Sequence, residues 1–187
     1  MIAYLIKIEW HDFKINGKTI TARVAIKERG DRKLIKNLYK DWKKLNDRLK
    51  LIGTRGINLP ETISENAFCL FFPDCVRTVG LKKGKCSFDC INTKTGSRIQ
   101  IKASSVESDL TSFGPRSEWD ELFFLDFSKG DGSFKAYLVS PDEVYSRNMN
   151  KGQTFADQQA QGRRPRFSII NEIIIPQKRK PVKVCKL

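Results

Sequence analysis

Asp89, Gln100 and Lys102 are the residues whose types and spacing could do chemistry together. They lie in "FDCINTKTGSRIQIKAS", where ten residues, including a Thr95-Gly96 turn, separate the aspartate from Gln100-Ile101-Lys102. Strand side chains alternate between faces. On the first strand Phe88 and Cys90 point one way, with Ser87 and Asp89 opposite; on the next, Ile99 and Ile101 oppose Arg98, Gln100, Lys102 and Ser104. Packing both apolar sets on the core gathers Asp89, Gln100 and Lys102 on the other face. A carboxylate, an amide oxygen and an ammonium so placed could hold Mg²⁺ against a phosphate, because that ion takes oxygen ligands and shares its shell with water and substrate phosphate. Lys102 would then orient or help deprotonate an attacking water, or stabilise charge on the phosphorane. The alternative is a half-exposed hairpin with a solvated polar face, Asp89 capping its turn.

Those strands need a frame. "MIAYLIKIEWHDFKINGKTITARVAIKERG" predicts strand-rich structure folded back at Asn16-Gly17, a strong hairpin dipeptide. "DRKLIKNLYKDWKKLNDRLKLIG" predicts a helix with Asp31 as N-cap and Gly53 as stop. Its apolar stripe is Ile35, Leu38, Trp42, Leu45, Leu49 and Ile52, which would dock on the core or form a dimer seam. "GINLPETISENAFCLFFPDC" reads as a loop, a proline at a helix start and a short helix, with Glu61 and Glu65 on one face at i and i+4. Beyond the hairpin, "SVESDLTSFGPRSEWD" reads as a linker, and "ELFFLDFS" and "SFKAYLVS" as strands split by a "KGDG" turn. A helix should start at Pro141; "KGQTFADQQAQGRRPRF" is polar and loop-like. "FSIINEIIIP" reads as a last strand and "QKRKPVKVCKL" as a basic tail. The fold class is α/β, a central mixed sheet of four to five strands flanked by helices. One domain spans 1–187: strands and long helix over 1–55, core over 56–145 and a basic segment over 146–187.

Charge points to the partner. Thirty-five Lys and Arg against 21 acids give +14, an excess that attracts a polyanion, most often nucleic acid. Segment 163–187 holds eight basic residues against Glu172 alone. Arg163, Arg164 and Arg166 flank Pro165, and arginine pairs bidentately with guanine, so they are candidates for base reading, with phosphate clamping as the alternative. Lys82, Lys83 and Lys85, and Arg116, stand before and after the two chemical strands as phosphate contacts. Five cysteines without zinc-like spacing read as free thiols in a reducing compartment, Cys86, Phe88 and Cys90 sharing one buried face. The lone His11 excludes multi-histidine metal sites and makes a Ser-His-Asp hydrolase a poor reading. No secretory signal and no apolar run of roughly 18 residues is visible, so the cytoplasm is the expected compartment.

The order Asp89, ten residues, Gln100-Ile101-Lys102 resembles the PD-(D/E)XK nuclease superfamily, in which a strand aspartate precedes an acid-x-Lys triplet on the adjoining strand. "GINLPETISENAFCLFF", "FDCINTKTGSRIQIKASSVESDLTSFGP", "WDELFFLDFSKGDGSFKAY" and "QGRRPRFSI" make the chain, over roughly residues 56 to 170, similar to a group of small type II restriction endonucleases that cut short, interrupted GC-rich sites. The resemblance implies a restriction-endonuclease-like core and Mg²⁺-dependent cleavage of double-stranded DNA to 5′-phosphate and 3′-hydroxyl ends. It implies Asp89 and Gln100 as metal ligands, Lys102 as general base or charge stabiliser, and a glutamate from the preceding helix, Glu65 or else Glu61. Phe88 stands where the superfamily has proline. Gln100 stands where it has a carboxylate, which removes one negative charge that a helix glutamate would restore. A palindromic site implies a homodimer, and a restriction system implies a companion DNA methyltransferase. The rival readings are a repair or junction-resolving nuclease on the same fold, and a non-catalytic DNA-binding protein.

Overall fold

Asn16 and Gly17 both take positive φ, 49° and 76°, which closes a two-residue turn matched to strand twist. The turn joins β1 (Lys7–Ile15) to β2 (Lys18–Ile26), paired antiparallel from Lys7–Ile26 to Ile15–Lys18. The computed structural model describes residues 6–28, 30–53 and 56–187, so the strand-rich reading of residues 1–5 lies outside the described residues. Two helices follow, α1 (Asp31–Ile52) and α2 (Glu61–Phe71), then β3 (Cys75–Leu81), β4 (Cys90–Asn92) and β5 (Arg98–Ser104). The second half holds β6 (Thr111–Ser112), β7 (Glu121–Asp126), β8 (Ser133–Val139), α3 (Pro141–Tyr145), β9 (Asn148–Asn150), β10 (Gln153–Thr154), α4 (Phe155–Ala160) and β11 (Arg166–Phe167). A π-helix (Ile170–Ile174) and β12 (Lys183–Lys186) complete it.

Among the described residues the main sheet has eight strands in the order β1-β2-β3-β4-β5-β7-β8-β12, where four to five were expected. Its neighbours are antiparallel except β5 and β7, which run parallel, so the sheet is mixed as expected. The extra width comes from the chain's ends: the β1–β2 hairpin extends one edge and β12 pairs with β8 at the other. The "QKRKPVKVCKL" segment is therefore tied into the sheet rather than a tail. Cys185 and Leu187 are buried there, against exposed Val182 and Val184, a period of two suited to an edge strand.

Apolar residues cover both faces of the sheet. One cluster joins Ile35 and Trp42 of α1 with Ile63 and Phe68 of α2 and with Ile99 and Ile101 of β5. The other joins Ile91, Leu122, Phe124 and Val139 of the strands with Phe155 of α4 and Ile173 of the π-helix. Each fully buried side chain of this size contributes about 1.5–3 kcal/mol. Truncating Phe68, wholly buried and stacked on Phe72, to alanine would cost about 3–5 kcal/mol.

Three local expectations are corrected. In α1 the core face is Ile35, Tyr39, Trp42 and Asn46, while Leu38 and Leu45, both in the expected stripe, are 42% and 50% exposed. Polar anchors set this roll: Asn46 Oδ1 accepts the Ile57 N–H at 2.8 Å and Trp42 Nε1 donates to the Asn58 carbonyl at 3.0 Å. Gly56 permits that approach, since a Cβ there would lie 1.9 Å from Asn46 Oδ1. The helix also begins at Asp31 itself, whose Oδ2 accepts the Glu28 N–H. "FSIINEIIIP" is no strand beyond Phe167; Ile169, Ile170, Ile173 and Ile174 bury one face of a helical turn. "KGQTFADQQAQG" contains α4, closed by a Thr154–Asp157 capping box. Among the described residues no helix is long and apolar enough to cross a membrane.

Candidate active site

The local geometry starts from a strand that stops. β4 pairs with β3 over three residues and with β5 over two, whereas both neighbours run for seven, so the sheet forks beyond Cys90. Asp89 stands at the fork. Its backbone bridges the two arms, its N–H donating to the Ile99 carbonyl at 2.9 Å and its carbonyl accepting from Thr78 at 2.8 Å. The bend there breaks the alternation expected for Cys86, Phe88 and Cys90. Cys90 packs with the α1–α2 cluster, Phe88 with the opposite one, and Cys86 is exposed in the loop; all five thiols are free.

The side chains converge as the hairpin reading requires. Asp89 Oδ2 accepts the Ile101 N–H at 2.7 Å and a short hydrogen bond from the Gln100 amide nitrogen. Gln100 is 6% exposed, so the solvated-face alternative fails at that residue. Lys102 is half-buried on the same face of β5, its ammonium 5.5 Å from the centre of the Phe113 ring. From α2, Glu65 is buried and accepts from Arg77 Nε of β3 at 2.5 Å, while Glu61, one turn earlier, is exposed. Burial pushes the Asp89 carboxyl up to about 7, with the Glu65 charge next in effect, then opposed by the Ile101 hydrogen bond and Lys102. Glu65 is also raised, first by burial, with Arg77 acting against it and Glu61 adding to it. Asp89 and Glu65 thus both lie within reach of the charges of Glu61 and Lys102. A cleft of about 710 Å³ lined by Glu61, Lys102, Ser104, Asp109 and Lys50 opens beside them.

The basic candidates are exposed. Lys82, Lys83 and Lys85 are in the loop after β3, and Arg116 in the loop after β6. Arg163 and Arg164 precede β11, and Arg166 lies in it, paired across from Ser112. None of these seven side chains forms an ion pair among the described residues.

Residues 27–176 match the family described as Bsp6I restriction endonuclease. The chain belongs to that family. It is also 41% identical over 144 residues to the type II restriction enzyme Bsp6I of Bacillus sp. (strain RFL6), a match covering 75% of this chain and 79% of that protein. No solved structure matches. The span shared with the Bsp6I family contains α1, the fork, the cleft and the arginine segment. It leaves out the β1–β2 hairpin and β12, the strands that widen the sheet beyond expectation.

In this type II restriction endonuclease the donor set suits a hard cation. Of two carboxylates, Glu65 buried and Asp89 half-buried, the first raises the proton affinity of the second, and an amide that can turn its oxygen inward lies against Asp89. Among the described residues no three His, Cys, Asp or Glu side chains form a ready metal cluster; the oxygen donors at the fork are two carboxylates and the Gln100 amide. Sequence reasoning missed Arg77, although a lone cation inside "CVRTVG" was a usable signal. It also missed Asp109 and Phe113, in a stretch read as linker, where nothing in the residue types marks them out.

Proposed function

We propose that this member of the Bsp6I family is a Mg²⁺-dependent endonuclease that recognises a short sequence in double-stranded DNA and hydrolyses a phosphodiester bond in each strand, leaving 5′-phosphate and 3′-hydroxyl ends. The observation that carries the reading is the convergence of Asp89, Gln100, Glu65 and Lys102 at a fork in the sheet, beside a cleft. Asp89 and Glu65 would hold the metal through their carboxylates and Gln100 through its amide oxygen. Bound Mg²⁺ supplies Lewis-acid polarisation of the scissile phosphate and screens the charge developing there. Asp89 is kept in place by the Ile101 N–H, and Glu65 restores the negative charge that an amide at position 100 leaves out. Lys102 Nζ orients the attacking water at the phosphorus, accepts its proton when neutral, or stabilises the equatorial oxygens when charged.

DNA is held by the exposed cations: Lys82, Lys83, Lys85 and Arg116 on phosphates, and Arg163, Arg164 and Arg166 on base edges or phosphates. Cutting both strands of a palindrome calls for a homodimer with one fork per strand. A DNA methyltransferase of the same specificity would protect the host without stable binding. Digestion of plasmid DNA tests the reading. Discrete fragments are expected with Mg²⁺ and none with EDTA. Nicking confined to branched DNA would replace it with a junction-resolving nuclease, and salt-sensitive binding without cutting would replace it with a DNA-binding protein.

A further inference from the structure

Asp109 lies in the loop between β5 and β6 and is 6% exposed. Its carboxylate accepts four hydrogen bonds. Oδ2 takes the Thr111 hydroxyl at 2.5 Å and the Ile169 N–H at 3.0 Å; Oδ1 takes the Ser168 hydroxyl at 2.7 Å and the Ile170 N–H at 3.0 Å. That fills the acceptor capacity of an ionised carboxylate. Three of the four donors come from residues 168–170, which follow directly on β11.

The same two segments meet again alongside. β6 pairs with β11 through Arg166–Ser112 and Phe167–Thr111, and the Phe113 N–H donates to the Pro165 carbonyl at 3.1 Å. The Phe113 ring stacks on Phe167, centroids 5.6 Å apart and planes 11° from parallel. Its face also receives the Lys102 ammonium. An unbroken path of contact therefore runs from Lys102 through Phe113 and Phe167 to Arg166, and Asp109 pins both segments of that path. An ordinary helix cap would satisfy the N–H groups of Ile169 and Ile170 from a neighbouring residue. Here the cap comes from about sixty positions away, on the loop that leaves the strand bearing Lys102.

We propose that Asp109 is a positioning residue that fixes the arginine segment 163–166 relative to Lys102, so that cleavage is fast only where those arginines are seated on the right bases. This rests on the reading above, in which Lys102 acts at the phosphate and the arginines touch DNA. Loosening the clasp lowers the rate at the preferred sequence and spares the rate at near matches, so discrimination shrinks. Displacements of about 1 Å at a reacting centre change rates about a hundredfold, which sets the scale.

The test uses the full chain with Asp109→Asn, Thr111→Val and Ser168→Ala, each acting on a duplex pool randomised at the site, with single-turnover rates read by sequencing cut ends. Asp109→Asn keeps one carbonyl oxygen and sets an NH₂ against donors; the other two variants each remove one hydroxyl. The ratio of rates at preferred and one-base-changed sites is expected to fall about tenfold or more in Asp109→Asn and by less in the other two. Affinity for random-sequence DNA should stay unchanged. Should Asp109→Asn fail to fold, the two hydroxyl variants carry the test. A wild-type ratio in every folded variant, with rates falling equally at all sites, would overturn the proposal. Arg163→Ala, Arg164→Ala and Arg166→Ala separate the layers. If they alter sequence preference and the clasp variants do not, only the clasp role falls; if they too leave preference untouched, the arginine reading falls with it.

Discussion

The fork at Asp89 and the arginine segment at 163–166 carry charge in opposite ways. At the fork, a buried carboxylate and a half-buried one lie near one lysine and one arginine, and burial raises the proton affinity of both. At 163–166, three guanidiniums stand exposed on a short strand and the loop before it. The first arrangement stores electrostatic strain that a cation would relieve. The second presents its charge to solvent from backbone held by the β6–β11 pairing and the hydrogen bonds to Asp109. On the proposed reading, chemistry falls where charge is confined, and recognition where charge is free to reach a polyanion.

The largest effect that could break this division is at Lys102. Lys102→Ala is expected to slow single-turnover cleavage by about 10²–10⁴-fold while leaving affinity for uncut duplex nearly unchanged. Equal loss of both would place Lys102 on the recognition side.

Arg77 comes next. Removing it leaves Glu65 buried without its partner, so Arg77→Ala should lower unfolding free energy by about 2–3 kcal/mol at pH 8 in urea titrations without metal. Adding Glu65→Gln should recover most of that loss. Absence of recovery would mean that Arg77 works by packing rather than charge.

The arginines test the other region. Replacing Arg163, Arg164 or Arg166 by alanine should cost about 1–3 kcal/mol of discrimination at one base pair if it reads a base. If it holds a phosphate, binding should weaken uniformly and the salt slope fall by about one. A variant that changes neither removes that residue from the interface.

The hairpin alternation, the Gly96 turn and the acid–amide–lysine spacing were legible in the sequence because a period of two and a tight turn leave little freedom of placement. Even so, the bend at Asp89 sent Phe88 and Cys90 to opposite clusters, because a backbone pinned to both Thr78 and Ile99 cannot keep a regular pleat. The roll of α1 was not legible. Apolar residues occupy two flanks of that helix, and a buried Asn46 hydrogen bond, not hydropathy, selects between them. The isoleucine run at 169–174 read as strand because β-branched residues favour extension, yet a carboxylate distant in sequence caps it into a helical turn. Sheet width was underestimated because the β1–β2 hairpin, legible as strands, gave no sign that it joins β3, and because β12, basic and mostly exposed, has the composition of a tail.

The smallest expected effect concerns pH. Asp89 keeps its proton up to about 7 when folded, whereas an ordinary aspartate carboxyl titrates near 3.8. Its stabilising contribution is therefore complete below about pH 4 and is lost as pH rises through 7. Asp89→Asn should flatten this slope and be more stable than the wild type at pH 8 in the absence of metal. The gain should be about 1 kcal/mol, less than the full shift implies because water reaches a partly exposed group.

Thermal unfolding of the wild type and Asp89→Asn at pH 8, with and without millimolar Mg²⁺, tests the proposed cation site most directly. The metal is expected to raise the wild-type midpoint, where it relieves the Asp89–Glu65 repulsion, and to leave Asp89→Asn unmoved. An equal rise in both proteins, or none in a wild type that still cuts DNA in EDTA, would contradict it.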